Sequence, residues 1–281
     1  VTSELGNVSP WIIVPGRYSE KQLQFQAENI AASIVNNASF NCLATKVIVT
    51  YADWPDRDRF LTMIEQKLQH LPRRYAYYPG APERWQRFAG TEPDDRQYLP
   101  WKLIRDADPV QSSHLFQEES FVCVCAETAL EAESDSDFLE RAVEFVNRDV
   151  WGTLCATITV PDAFRQTDHA TLDRCIGKLK YGAVGINHWP ALNYAFMSTP
   201  WGGASGATLQ DVVSGIGNVH NTYFLAGVEK TVLYGPLTLF PQPVWFPSHP
   251  NPEAVGWRLF DLYTKPSLGN LLRTGLTVAL K

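Results

Sequence analysis

Cysteine and methionine are scarce in this 281-residue sequence, at five and two. The five cysteines, at positions 42, 123, 125, 155 and 175, are odd in number and few for the length. That count fits a reducing, cytoplasmic setting better than a disulfide framework. Cys123 and Cys125 stand two apart in an apolar run, with no second pair at zinc-finger spacing, so no metal site is expected there. The six histidines are scattered, and no H-E-x-x-H spacing occurs. Basic residues are not in excess: 24 Lys and Arg stand against 30 Asp and Glu, a net charge of -6, which argues against nucleic acid as a partner. No apolar run reaches the roughly 18 residues of a membrane-spanning helix. The opening residues, Val1 to Gly6, lack the basic and apolar regions of a signal peptide. What is present is 45% hydrophobic and 12% aromatic residues, enough for one large core or two smaller ones.

Strand and helix patterns alternate along most of the chain. Trp11-Ile12-Ile13-Val14, stopped by Pro15-Gly16, reads as a buried strand. Ser19 with Gln22 three residues on forms a capping box, and Leu23, Ala27, Ile30, Ala31 and Ile34 follow at helical spacing until Asn36 to Ser39. Val47 to Tyr51 is β-branched and strand-like. Pro55, with Asp53 as its cap, marks the start of a helix whose stripe is Phe60, Leu61, Ile64, Leu68 and Leu71. Residues 72–110 read as loop with short elements. Strands are expected at Phe121 to Ala126, Leu154 to Val160 and Ala183 to Asn187, and helices over 135–149 and 162–180, the latter stopped by Gly182. Strands apolar on both faces, alternating with helices, predict a three-layer α/β/α domain with a mostly parallel sheet. From Tyr234 the chain becomes rich in Pro and aromatics, with an apolar segment from Leu268 to Leu280, so the expected division is 1–233 and 234–281. The last segment is too short to span a bilayer, though a place at a membrane surface is open to it.

Four segments carry chemistry-bearing residues. Cys42 lies between a helix and a strand, where α/β proteins gather functional groups. Glu4 precedes the first strand in Glu-Leu-Gly, and Glu118-Glu119-Ser120-Phe121 precedes a later one. Pro200-Trp201-Gly202-Gly203-Ala204-Ser205-Gly206 is a loop that allows close backbone approach, yet it fits neither phosphate-binding fingerprint.

Taken in order, these pieces resemble the aldehyde dehydrogenase superfamily. Ser3 to Pro10 is similar to its Glu-Leu-Gly-Gly-Lys-Ser-Pro segment, and Asn37 to Cys42 to its Asn-x-Gly-Gln-x-Cys. Glu118 to Phe121 resembles Glu-Glu-Ile-Phe-Gly-Pro, Gly182 to Asn187 resembles Gly-x-Val-x-Val-Asn, and Pro200 to Gly203 resembles Pro-Phe-Gly-Gly. The likeness spans roughly residues 1–235. It implies that Cys42 is the nucleophile that attacks an aldehyde. Glu4 would be the general base that activates water against the thioester. Glu119 would bind the ribose of NAD or NADP with Phe121 beside it, and Gly6 would let the backbone approach the nicotinamide. Asn187 and Trp201 would shape the aldehyde pocket, joined by other aromatics such as Trp189, Tyr194 and Phe196. The full-length protein would be a homo-oligomer. In the family, the dinucleotide-binding domain and the oxyanion Asn precede the Glu-Leu-Gly segment, so the chain is expected to be a separated catalytic domain, inactive alone.

The match is incomplete. Asn7 and Val8 replace Gly and Lys, Ser39-Phe40 replaces Gly-Gln, and Val122-Cys123 replaces Gly-Pro. These departures leave open an enzyme-like scaffold without dehydrogenase activity. A thiol hydrolase or acyltransferase is a further alternative and needs a histidine beside Cys42. His114 and His188 lie nearest the site segments in sequence.

Overall fold

A computed structural model describes residues 2–221 and 223–279. Leu280, the end of the apolar segment expected near the C-terminus, lies outside the described residues. Inter-residue contacts divide the chain into Val1–Leu237 and Thr238–Lys281.

The first unit is built on a seven-stranded sheet whose strands are all parallel. A short ribbon strand β1 (Ser3–Glu4) precedes β2 (Ser9–Ile13), the middle of the sheet. Helix α1 (Glu20–Val35) begins at the expected capping box, with Ser19 and Gln22 bonding each other's backbone, and buries the predicted stripe. Then come β3 (Thr45–Tyr51), α2 (Arg57–His70), α3 (Ala81–Ala89), β4 (Lys102–Ile104), α4 (His114–Gln117) and β5 (Val124–Leu130). The chain continues through α5 (Asp135–Asp149), β6 (Cys155–Thr159), α6 (Asp162–Thr167), α7 (His169–Lys178), β7 (Ala183–Ile186) and α8 (Ala191–Ala195). It ends with β8 (Gly215–Ile216), which pairs with β1, and β9 (Thr231–Tyr234), an edge strand.

The sheet order is β4-β5-β3-β2-β6-β7-β9. From β2 the chain builds one side, with β3 next, then β4 at the edge and β5 between them, and after α5 it builds the other side outward, so the sheet is doubly wound. Val47 and Val49 of β3 lie in one continuous core with Phe138 and Leu139 of α5 and Leu172 and Ile176 of α7. Ile48, between them, must point to the opposite face, where α1 packs on β3 and against α2. This is the three-layer α/β/α arrangement expected from the alternating pattern.

Several boundaries differ from expectation, among them the end of β5, which runs on to Leu130. Helix α2 starts at Arg57 because Trp54 is buried against Phe60 and its backbone turns first, with Trp54 N–H on Tyr51 O and Arg57 N–H on Trp54 O. Strand β5 starts at Val124, three residues late, because Phe121 takes a left-handed φ of 48° and leaves the strand path. The single helix expected over 162–180 is two helices that meet at Asp168, and Leu179, not Gly182, ends the second. Gly182 instead donates its N–H to Thr153 O and leads into β7.

The second unit holds α9 (Pro252–Thr264) and α10 (Leu268–Ala279), which pack on each other. No helix among the described residues is long and apolar enough to cross a membrane.

Candidate active site

Parallel strands collect whatever precedes them at one edge of the sheet. Glu4, Gly6 and Asn7 precede β2, Cys42 precedes β3, and Glu119 and Phe121 precede β5. These three strands are neighbours, in the order β5-β3-β2. The candidate residues therefore meet at the amino edge, opposite the carboxyl edge where open α/β sheets usually bind ligands. Glu4 is held by ribbon pairing with Gly215, Leu5 N–H bonds to Ser214 O at 2.9 Å, and Ser214 Oγ reaches Gly6 O at 2.8 Å. Gly215 has φ 127°, and a side chain on it would strike Ser3 O.

The Cys42 thiol donates to Glu4 Oε1 at 3.2 Å, across 38 residues of chain. Cys42 is half-buried and Glu4 exposed. Burial pushes the thiol up, and the negative charges of Glu4 and, more weakly, Glu119 push it further, with buried Cys155 adding to the effect. The sulfur thus keeps its proton at neutral pH and shares it with a carboxylate. Beneath it, Ser9 Oγ donates to Cys42 O at 2.6 Å and lies 3.4 Å from Cys155 Sγ.

The loop that presents Cys42 is strained. Asn37, Ala38 and Ser39 all have left-handed φ, at 51°, 54° and 70°. Each such residue costs about 1–2 kcal/mol, so something must hold the loop. Lys46, the second residue of β3, does so: its buried Nζ donates to Ser39 Oγ at 2.7 Å, Ser39 O at 3.0 Å and Val122 O at 3.3 Å. One cation thereby joins the Cys42 loop to the Phe121 loop. Burial lowers the Lys46 amine to about 8. Phe40, next in the loop, is buried within a ring cluster: 5.0 Å from Tyr77, 5.7 Å from Tyr78 and 6.1 Å from Phe121.

Glu119 lies over Gly6. Its Oε1 accepts from Asn7 N–H at 3.2 Å, and its Oε2 fills the space a Gly6 side chain would need. The lack of a side chain at Gly6 thus makes room for the Glu119 carboxylate. Burial raises the Glu119 carboxyl, while the Asn7 N–H, Lys46 and Arg84 oppose the rise. Asn7 is fully buried, its amide donating to Ser9 Oγ at 2.8 Å and Cys155 O at 3.0 Å. Beside Glu119 opens a cleft of about 390 Å³ lined by Tyr78, Pro79, Gly80, Arg84, Glu119 and Phe121.

Trp201 is buried against Leu154, Cys155 and Ala183, a cluster on which Cys42 also packs, so it belongs to the site's surroundings. Trp189 donates to Leu43 O at 2.7 Å, and Tyr194 packs edge-on against Trp201 while Phe196 is exposed. Asn187 is not brought to Cys42. It follows β7, at the carboxyl edge, where its amide donates to Gly235 O at 3.0 Å and accepts from Val160 N–H at 2.8 Å. His188 sits beside it, buried against Gly235. His114 packs against Phe88. Among the described residues no three metal-ligating side chains converge.

Lys46, Arg84, Tyr78 and the structural part played by Asn7 escaped the sequence reading. Lys46 had a readable signal, a lone charge entering the apolar run Lys46-Val47-Ile48-Val49. Arg84, which donates to the backbone oxygens of Ser120 and Glu119, had none, because it lies in a distant loop-rich stretch.

No protein-family model matches the chain, and no curated protein matches it. Solved structures do. An NAD-dependent aldehyde dehydrogenase from Sinorhizobium meliloti matches with TM-score 0.59 and 16% identity, over 79% of this chain and 43% of that one. Lactaldehyde dehydrogenase from Escherichia coli matches at 0.60 and 20%, over 79% and 45%. A Mycobacterium tuberculosis aldehyde dehydrogenase complexed with NAD+ matches at 0.56 and 21%, over 79% and 44%. The fold is the one these dehydrogenases share over that stretch, and the chain spans less than half the length of each.

Proposed function

We propose that this chain is the catalytic domain of a nicotinamide-nucleotide-dependent aldehyde dehydrogenase, which oxidises an aldehyde to a carboxylic acid through a thioester on Cys42. The observation that carries the reading is the Cys42–Glu4 hydrogen bond at 3.2 Å. A thiol that holds its proton is a poor nucleophile until a base takes that proton, and Glu4, its hydrogen-bond partner, would be that base. As the proton moves to Glu4, a C–S bond forms and the carbonyl electron pair moves to oxygen. The nucleotide, when bound, supplies a hydride acceptor, which is what turns a sulfur-bound aldehyde into an acyl group. Glu4, once free of the proton, takes another from water as the water attacks the thioester, and the sulfur leaves.

The residues of the cleft fit a nucleotide. The Glu119 carboxylate is an acceptor for sugar hydroxyls, Phe121 and Tyr78 offer ring faces to a planar base, and Arg84 offers a cation. Either NAD or NADP suits these groups. Trp201 supports the aldehyde side. The whole enzyme would act as a cytoplasmic homo-oligomer, and this chain alone would not oxidise aldehydes. Reduced nucleotide formed by the pure chain would overturn that last point.

A second reading, a scaffold without dehydrogenase activity, is favoured by Phe40, whose ring packs with Tyr78 and Phe121 at the cleft. One experiment separates the two and needs no cofactor. p-Nitrophenyl acetate should acylate Cys42 with a burst of one p-nitrophenolate per chain, mapped by peptide mass, and Cys42→Ser should abolish it. An unreacted Cys42 would favour the scaffold.

A further inference from the structure

The α9–α10 hairpin has its polarity inverted. Hydrogen bonds tie its helices and their turn: Thr274 Oγ1 donates to Arg258 O at 3.2 Å, and Asn270 Nδ2 donates to Asp261 O at 3.2 Å and to Lys265 O, just past α9, at 2.9 Å. Val255 and Thr274 are the only described residues of the two helices that are buried. The large apolar side chains face outward, with Trp257 62%, Tyr263 80%, Leu268 79% and Leu272 67% exposed, and Phe260, Leu271 and Leu276 beside them. On α10 the leucines at 268, 271, 272 and 276 fall on one face.

In water, two helices are held together by turning their apolar stripes toward each other. This pair buries Val255 but leaves most of its large apolar side chains outside. Polar glue between helices with apolar residues outside is the packing of helices whose solvent is lipid. An exposed apolar surface of this kind marks a contact site.

Length and charge select the partner. At 1.5 Å per residue, the 13 residues of α9 and the 12 of α10 are each roughly 20 Å long, short of a hydrocarbon core of about 30 Å. The hairpin can therefore lie in one leaflet but not cross both. Residues 238–281 carry Arg258, Lys265, Arg273 and Lys281 against Glu253 and Asp261, a basic segment in a chain of net charge -6. A basic, apolar helical surface with exposed aromatics complements an anionic lipid surface. We infer that the α9–α10 hairpin seats the protein on an anionic membrane, with Trp257, Phe260, Leu268 and Leu272 entering the boundary between headgroups and acyl chains.

The test uses the full chain and vesicles of phosphatidylcholine with or without phosphatidylserine. The chain should co-sediment with the anionic vesicles, less with the neutral ones, and less as salt is raised. The exposed-site double variant Trp257→Ser/Leu272→Ser should lose at least about tenfold in partitioning while keeping its circular dichroism and melting temperature. Cys42→Ser should bind as the wild type does, which separates this proposal from the chemistry of the other unit. Failure to bind anionic vesicles would overturn it. So would a chain that dimerises in buffer through the same residues and ignores lipid, since a second copy would then be what covers the surface.

Discussion

Replacing Glu4 by Gln should make Cys42 react faster with iodoacetamide and slower with an ester or aldehyde. The two reagents ask different things of the sulfur. Iodoacetamide reacts with whatever thiolate exists at equilibrium, whereas attack on a carbonyl from the protonated state needs a base in place. At the observed 3.2 Å, the repulsion between a Cys42 thiolate and the Glu4 carboxylate is about 5 kcal/mol at an effective dielectric of 20 and about 1.3 kcal/mol in bulk water. Glu4 is exposed, so the lower figure is the appropriate floor. It corresponds to about one pKa unit, or about tenfold in thiolate fraction. A less basic thiolate is also less nucleophilic, which removes about half of the gain on a logarithmic scale and leaves about threefold. The assay is the alkylation rate of Cys42 at pH 8 by peptide mass. The other four cysteines are buried. Unchanged or slower alkylation in a folded Glu4→Gln protein would show that the carboxylate does not act on the sulfur.

Lys46→Met removes the buried cation that ties Ser39 to Val122. The Lys46 amine sits at about 8 in the folded chain against about 10.4 unfolded. Between those values the unfolded chain binds more protons, so the penalty of burying the charge is full below pH 8 and fades as pH rises. Wild type should therefore gain about 2 kcal/mol relative to Lys46→Met between pH 7 and pH 10, measured by denaturant unfolding, and a pH-independent difference would refute the assignment. Gly6→Ala drives a methyl into the Glu119 carboxylate and should destabilise the chain by about 1–3 kcal/mol. Glu119→Ala in the same chain should recover most of that loss, and additive effects would mean that the two residues are not in contact.

Much of the fold was legible because the burial pattern of each element agrees with its local signals. Ser19 and Gln22, the stripe from Leu23 to Ile34, and the helix over Asp135–Asp149 are set by neighbours within a few turns. Three candidate segments were also legible as partners, since each precedes a strand and parallel pairing brings such segments to one edge. Local pattern is silent where a distant side chain decides the backbone. Phe121 leaves the strand path to place its ring near Phe40 and Tyr78, which no local pattern reveals. Asn187 ends a strand instead of preceding one, so the same topology that gathers Cys42, Glu4 and Glu119 carries it to the opposite edge. Ser39 takes a left-handed conformation at the position where the resembled segment has glycine, and the compensation comes from Lys46, seven residues away. Sequence could flag the departure at Ser39 but not the brace that supports it.

The account rests on Cys42 and Glu4 acting as a pair in two steps, and hydrolysis of p-nitrophenyl acetate by the wild type, Cys42→Ser and Glu4→Gln reads both. Wild type should turn the ester over continuously and Cys42→Ser not at all. Glu4→Gln should acylate slowly and then stall with acetyl still on Cys42. Turnover by Glu4→Gln at the wild-type rate, or no acyl group on Cys42 in the wild type, would contradict it.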